Sequence, residues 1–277
     1  GCVRDALIGV PCHDEDITTN ALPEETSKIF KDYPVIETGI KHGTVTVIID
    51  HEPFEITTYR VESEYLDNRH PSKVSFTSSL KDDLSRRDFT INALAMDYNG
   101  NIIDYYDGIS DLDKKKVKCV GNPINRFEED GLRILRALRF SAKLDFDIDE
   151  ETKEAIHSQK YLIKNISVER IQKELNGLLG SKHINRIELI FREFFDLFVL
   201  IIPELNNLMI NQNNKYHKNN LLFDHTLEVV KGVEDDYLLR LSALFHDIGK
   251  KDTYSEELLE DGSITGHFYG HPIVSKD

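Results

Sequence analysis

A chain of 277 residues with 40% hydrophobic and 30% charged residues has room for two modest domains and an ordinary apolar core. Its formal net charge of −15 excludes a general polyanion binder, whose surface would be basic, but leaves room for a local basic groove. No apolar run approaches the ~18 residues of a membrane span, and Cys2, Cys12 and Cys119 show neither metal nor disulfide spacing, so reduced thiols in a cytoplasmic setting are expected.

Gly1 to Gly9 reads as a turn and a short helix; with no strand ahead of it, the reading expects a start upstream of Gly1. Ile17-Thr18-Thr19 is strand-like, and Pro23-Glu24-Glu25 opens a helix with proline in its first turn. Residues 35–40, 44–49 and 53–60 alternate apolar and polar side chains and are rich in β-branched residues, as strands are. His42-Gly43 and Asp50-His51 sit where hairpin turns are needed. Residues 62–79 are polar and read as a mobile loop. From about residue 124 the period becomes 3.6, and Phe127, Leu132, Leu135, Leu138 and Phe140 mark one amphipathic helix. Further helices are expected at 150–157, at 168–179 with Ser167 as N-cap, and at 189–202, where Pro203 ends an apolar segment. An Asn-rich linker at 206–220 precedes a helical stretch at 221–250.

Six groups of residues are candidates for chemistry. Asp14 and Asp16 lie two apart ahead of a strand, so on extended backbone they share a face. Convergent hard oxygens are the ligand set of Mg²⁺, and Glu55 on a neighbouring strand is the candidate third carboxylate; an acidic turn is the plainer reading. Gly1 offers backbone N–H groups at a helix start, with Arg4 one turn in, an arrangement suited to phosphate or simply a turn–helix junction. Arg86-Arg87-Asp88 precedes a segment that reads as buried; Arg87, nearest to it, is the candidate ligand, and Asn92 inside it invites a specific hydrogen bond. Asp130, Arg133, Arg136 and Arg139 recur every third residue: either a donor–acceptor set for the edge of cytosine or adenine, or an ordinary ion pair on a solvated face. Near the C-terminus, His225 and His246-Asp247 combine imidazole and carboxylate, a set suited to a divalent metal or to a capped helix end. Lys114-Lys115-Lys116 and Lys118 read equally as an RNA phosphate contact or a solvated turn.

Taken in order, these motifs resemble the bacterial-type, class II tRNA nucleotidyltransferases (the CCA-adding enzymes) and the related poly(A) polymerases. Gly1-Cys2-Val3-Arg4-Asp5 is similar to their Gly-Gly-x-Val-Arg-Asp without its first glycine, Asp14 and Asp16 to their metal-binding pair, and residues 86–93 to their hinge-proximal motif. Glu129-Asp130-Gly131-Leu132-Arg133 resembles the base-reading motif, and residues 165–170 a later helix-start motif. His225 with His246-Asp247 resembles the HD motif. The resemblance implies an α+β fold: a polymerase-β-like head at 1–120, an all-α neck at 121–205, and an incomplete HD-like helical body at 206–277. It also implies Mg²⁺ at Asp14 and Asp16, beside the candidate catalytic carboxylate Glu55, and nucleotide contacts from Gly1, Arg4, Arg87, Asp130, Arg133, Arg136 and Arg139. A second divalent metal would lie at His225, His246 and Asp247. The implied reaction adds C and A to a tRNA 3′ end from CTP and ATP. Poly(A) addition, CC- or A-only addition, an HD-type phosphohydrolase and a non-catalytic RNA-binding module are the alternatives.

Overall fold

The computed structural model describes residues 1–12, 15–65, 71–213 and 221–276, with backbone alone at 62–65 and 71–73. The fold is α+β and divides into two units, Gly1–Arg133 with Asp147–Gln159, and Ile134–Phe146 with Lys160–Asp277.

The first unit opens with helix α1 (Cys2–Leu7), strand β1 (Ile17–Thr19), helix α2 (Pro23–Ile29) and strands β2 (Val35–Ile36), β3 (Thr44–Ile49) and β4 (Glu52–Thr58). They build a sheet of order β1-β4-β3-β2, in which β1 runs parallel to β4 and the other pairs are antiparallel. Alternation along β3 turns Val45 and Val47 to one face, where Ile56 of β4 joins them under Phe30, Val35 and Ile49. Asp50 (φ 51°) and His51 (φ 69°) are both left-handed, the conformation a two-residue hairpin requires. The strand expected at 35–40 is shorter, ending at Ile36 before a 3₁₀ turn at Ile40–His42.

Of residues 62–79, expected as a loop, 66–70 lie outside the described residues, whereas 62–65 and 71–76 belong to the antiparallel pair β5 (Arg60–Tyr65) and β6 (Pro71–Phe76). Backbone hydrogen bonds hold this pair, and its apolar residues, Val61, Tyr65, Val74 and Phe76, are few among charged and polar ones, so the period-2 signal of a half-buried strand is weak. Helix α3 (Leu80–Ser85) follows, its first turn capped by the Ser79 hydroxyl, which accepts from the Asp82 N–H. A 3₁₀ turn (Thr90–Asn92) leads into the hairpin β7 (Leu94–Met96) and β8 (Ile102–Asp104). Helix α4 (Gly108–Asp113) starts against that turn: a Cβ on Gly108 would lie 2.4 Å from the Thr90 carbonyl oxygen, so only glycine fits.

The single helix expected through Phe127 and Phe140 is two, α5 (Pro123–Glu129) and α6 (Leu132–Leu144). Asp130 is extended (φ −147°, ψ 105°), and its carboxylate accepts from the Leu132 N–H, 3.0 Å away, so it ends one helix and starts the next. Asp and Gly both favour this break, which outweighs the apolar period. Helix α7 (Glu150–Gln159) completes the unit.

In the second unit, α8 (Val168–Leu179) matches its periodicity; Ser167 stands at the N-cap position, but its hydroxyl makes no capping bond. The apolar helix expected at 189–202 is divided at Phe194 into α9 (Ile184–Glu193) and α10 (Phe195–Ile201). Phe191 stacks on Phe198 at 4.1 Å between ring centroids while Phe195 meets Phe223 at 4.6 Å. Residues 221–250 form α11 (Leu222–Gly232), α12 (Tyr237–Phe245) and a 3₁₀ turn (Ile248–Thr253), the second helix started by the Asp236 carboxylate accepting from the N–H groups of Leu238 and Leu239. Part of this unit is not helical: Ser255–Leu258 pairs antiparallel with Ile264–His267 before the final helix His271–Lys276. Among the described residues no helix is long and apolar enough to cross a membrane.

Cys2 and Cys12 form a disulfide, with Cα atoms 5.3 Å apart, against the expectation of reduced thiols. Spacing alone did not show the pair, because the chain leaving α1 must first fold back on it. Cys119 is free and buried, and burial raises its thiol pKa to about 12. Without reductant, the native protein should therefore expose no thiol to an aromatic disulfide reagent, and the unfolded protein one. Three thiols in the unfolded, unreduced chain would show that the pair is open.

Candidate active site

Asp16 immediately precedes β1. Continuing the Ile17↔Ile56 pairing by one residue sets it beside Glu55, and strand alternation gives Asp16, Thr18 and Glu55 the same face, opposite buried Ile56. Asp14 lies outside the described residues. Asp16 and Thr18 line a cavity of about 380 Å³ together with Gly1, Arg4, Arg87 and Asn92. The sheet edge, the glycine turn and the Arg86–Ala93 segment thus meet at one place. Glu55 is exposed on β4 and does not line this cavity. The exposed carboxylate of Asp16 at this cavity fits a hard dication such as Mg²⁺.

Arg4 is only 4% exposed. Its Nε donates to Asp5 at 2.8 Å, and its Nη1 donates to the side-chain oxygen of Asn92. Asn92 in turn donates to Asp88 at 3.0 Å, and the same Asp88 oxygen accepts from the Phe89 N–H at 2.8 Å. The hydrogen bond expected of Asn92 is therefore internal: it joins α1 to the Arg86–Ala93 segment. Arg4 lines the cavity while its guanidinium is held by the protein. Arg87 is different, with a side chain 34% exposed and its Nη2 3.6 Å from Asp83, beyond hydrogen-bond range.

The break at Asp130 also changes the expected base-reading pair, which does not sit on one helix face. Arg133 is 9% exposed; its Nη1 donates to Glu129 and to the Arg126 carbonyl, and its Nη2 donates to the Arg86 carbonyl at 3.0 Å. In the second unit, Arg139 donates to Glu174, and the Arg136 and Arg139 guanidinium carbons lie 5.4 and 4.6 Å from the Phe140 ring centroid. Gly177 makes room for this: a Cβ there would lie 2.5 Å from Arg139 Cδ.

The second unit brings His225, His246 and Asp247 together, with ligand atoms all within 4.8 Å of one another. Asp247 Oδ2 lies 3.0 Å from His246 Nε2, 3.4 Å from His225 Nε2 and 2.8 Å from Lys250 Nζ. Its Oδ1 lies 3.2 Å from His271 Nε2. Burial alone would raise the Asp247 carboxyl, but hydrogen bonds from His246 and Lys250 outweigh it and hold it well below the usual carboxylate range. The bond to Asp247 raises His246. Sequence reasoning singled out neither Lys250 nor His271 as part of this cluster. Lys250, three residues after Asp247, was open to an i, i+3 reading; His271 is brought in only by the fold.

Residues 1–118 match the family described as the poly(A) polymerase head domain, and residues 145–209 match the probable RNA and SrmB-binding site of polymerase A. The CCA-adding enzyme of Enterococcus faecalis is 52% identical over 179 residues, covering 65% of this chain and 44% of that one. That of Streptococcus pyogenes serotype M2 is 51% identical over 183 residues, covering 66% and 45%. The chain thus spans less than half the length of these curated relatives. The crystal structure of the Bacillus stearothermophilus CCA-adding enzyme in complex with CTP is similar with TM-score 0.62 and 40% identity, covering 69% of this chain and 46% of that one. A tRNA nucleotidyltransferase complexed with a primer tRNA and an incoming ATP analog is similar with TM-score 0.63 and 29% identity, covering 88% and 70%. With the head family over its first 118 residues and this identity to its relatives, the chain belongs to the bacterial-type tRNA nucleotidyltransferase and poly(A) polymerase family.

Proposed function

We propose that this chain carries the nucleotidyl-transfer site of a CCA-adding enzyme, adding C and A to the tRNA 3′ end from CTP and ATP with release of pyrophosphate. The observation that carries the reading is the single cavity walled by Asp16, Thr18, Gly1 and Arg87. The CTP and primer-tRNA complexes of its structural relatives support it.

In the proposed reaction the 3′-hydroxyl oxygen of tRNA forms a bond to the α-phosphorus of the nucleotide, and the bond to the pyrophosphate oxygen breaks. Asp16, with Asp14 and Glu55 as the other candidate ligands, would hold Mg²⁺, which would supply Lewis acidity at the phosphate and at the attacking hydroxyl. Arg87 holds triphosphate charge with its planar fork. Arg4 acts chiefly through Asn92, keeping the glycine turn against the cavity wall. The base-reading role of Asp130 and Arg133, and contacts of Arg136 and Arg139 with nucleotide or RNA, stay within this proposal. The bonds of Arg133 to Glu129 and of Arg139 to Glu174 are the conditions on it.

Incorporation of labelled CTP and ATP into tRNA lacking its 3′ end should show two C and one A added in order. Losing one metal ligand removes several kcal/mol of transition-state stabilisation, so Asp16→Ala should lower the rate by about 10³-fold or more. Long A tails would indicate a poly(A) polymerase, and one nucleotide type alone a partial specialist. Absence of addition to any RNA overturns the reading.

The His225, His246 and Asp247 cluster favours a second metal-dependent activity, of the phosphohydrolase class, in the same chain. Mn²⁺ or Ni²⁺ at 100 times its dissociation constant should raise unfolding stability by about 2.7 kcal/mol, and His246→Ala should remove that increment. Equal stabilisation of both proteins would place the metal elsewhere.

A further inference from the structure

Asp83 is a carboxylate with 0% exposure, on α3, outside every motif singled out in the sequence. Its Oδ1 accepts from the Arg60 N–H at 3.1 Å and from Nε and Nη2 of Arg86 at 3.0 and 2.9 Å. Its Oδ2 is buried, has no hydrogen-bond partner among the described residues, and faces Arg87 Nη2 at 3.6 Å. The two oxygens therefore do different things. One is saturated by the start of β5 and by Arg86, which fixes the carboxylate. The other is left to act on Arg87 by charge alone.

A buried carboxylate without a cation is costly, and two adjacent guanidiniums without an anion repel. Asp83 meets both conditions while consuming no Arg87 donor, so Arg87 is kept on the wall of the cavity it shares with Asp16. The geometry points to Asp83 as a positioning residue for nucleotide binding, acting through Arg87 on the triphosphate. This rests on the nucleotidyl-transfer reading above.

Asp83→Asn is the informative change. It keeps an Oδ1 acceptor for Arg60 and Arg86 but removes the charge and offers Arg87 an amide donor in place of an oxygen. The KM for CTP and for ATP should rise about tenfold, the scale of one charge-assisted hydrogen bond, with kcat within about twofold. In an Arg87→Gln background, which itself raises KM, the same change should have no further effect. A purely structural role predicts instead equal losses in both backgrounds, or a fall in kcat with lower thermal stability; either result, or an unchanged KM, overturns the proposal. Should Asp83→Asn fail to fold, Arg86→Gln serves. It leaves Asp83 with Arg87 as its one cation, drawing Arg87 off the cavity, so KM should again rise at constant kcat; an unchanged KM overturns the proposal. If the wild-type chain adds no nucleotide to tRNA, the transfer reading fails by itself. The positioning role is then read from equilibrium binding of CTP to the same variants, where weakening by Asp83→Asn that disappears in Arg87→Gln supports it and equal affinity overturns it.

Discussion

A guanidinium taken out of water must spend its donors on fixed acceptors, and this requirement organises the candidate site. Arg4 and Arg133 are both nearly buried in the first unit, and Arg240 is in the second. Arg4 ties α1 to the turn at Asn92, and Arg133 ties the start of α6 to the carbonyls of Arg126 and Arg86. Arg240 caps the end of α8 by donating to the carbonyls of Leu179 and Ser181. Removing one partner of such a buried pair typically costs ~3–5 kcal/mol, a large share of the ~5–15 kcal/mol that holds a domain folded. These arginines are therefore part of the frame. Among the described residues, the arginine left at the cavity with a substantial exposed surface is Arg87, and its direction is set by the carboxylate behind it.

The same economy of charge appears at Asp247. A carboxylate 3% exposed is surrounded by His225, His246, His271 and Lys250. Lys250 is itself buried, and its ammonium also donates to Gln212 at 3.1 Å. A resident ammonium at one oxygen neutralises the carboxylate before any dication arrives, so this cluster is a ready-formed but already compensated site. Asp16 differs, being exposed at the head of a strand.

Where local chemistry decided the structure, the sequence was readable. The β-branched alternation of Thr44–Ile49 and the helical period of Val168–Leu179 both match their observed bounds. Asp50-His51 formed the turn its position required. Where two local signals competed, the weaker-looking one prevailed: at Asp130-Gly131 a helix-ending pair interrupted a continuous apolar period. The β5–β6 pair was hidden because its few apolar residues, Val61, Tyr65, Val74 and Phe76, are diluted by charged and polar ones. The Cys2–Cys12 pair, the place of His271 beside Asp247 and the reach of Asp83 to the Arg60 N–H were hidden for another reason: each joins residues that only the folded chain brings together. At the site, the residue types were legible from motif order, whereas the division of arginines into frame and ligand was not. Spacing cannot say which guanidinium is buried.

That division puts an energetic condition on base reading by Arg133. Its two terminal nitrogens donate to Glu129, the Arg126 carbonyl and the Arg86 carbonyl. To face a nucleobase it must release at least one of them. Each hydrogen bond to a charged group contributes about 1.5–3 kcal/mol net, and a carbonyl left buried without a donor costs about 1–3 kcal/mol. A matching base edge returns a sum of this size, because a good bidentate contact discriminates by about 1–3 kcal/mol; a mismatched one returns less and leaves the frame closed. Glu129 is then the residue that sets the threshold: it competes for the same nitrogen that a base acceptor would take. Asp130 meets the same constraint from the other side, since its carboxylate already accepts from the Leu132 N–H at the start of α6. In this arrangement, selectivity would come from the difference between what the correct nucleotide supplies and what the internal acceptors already hold.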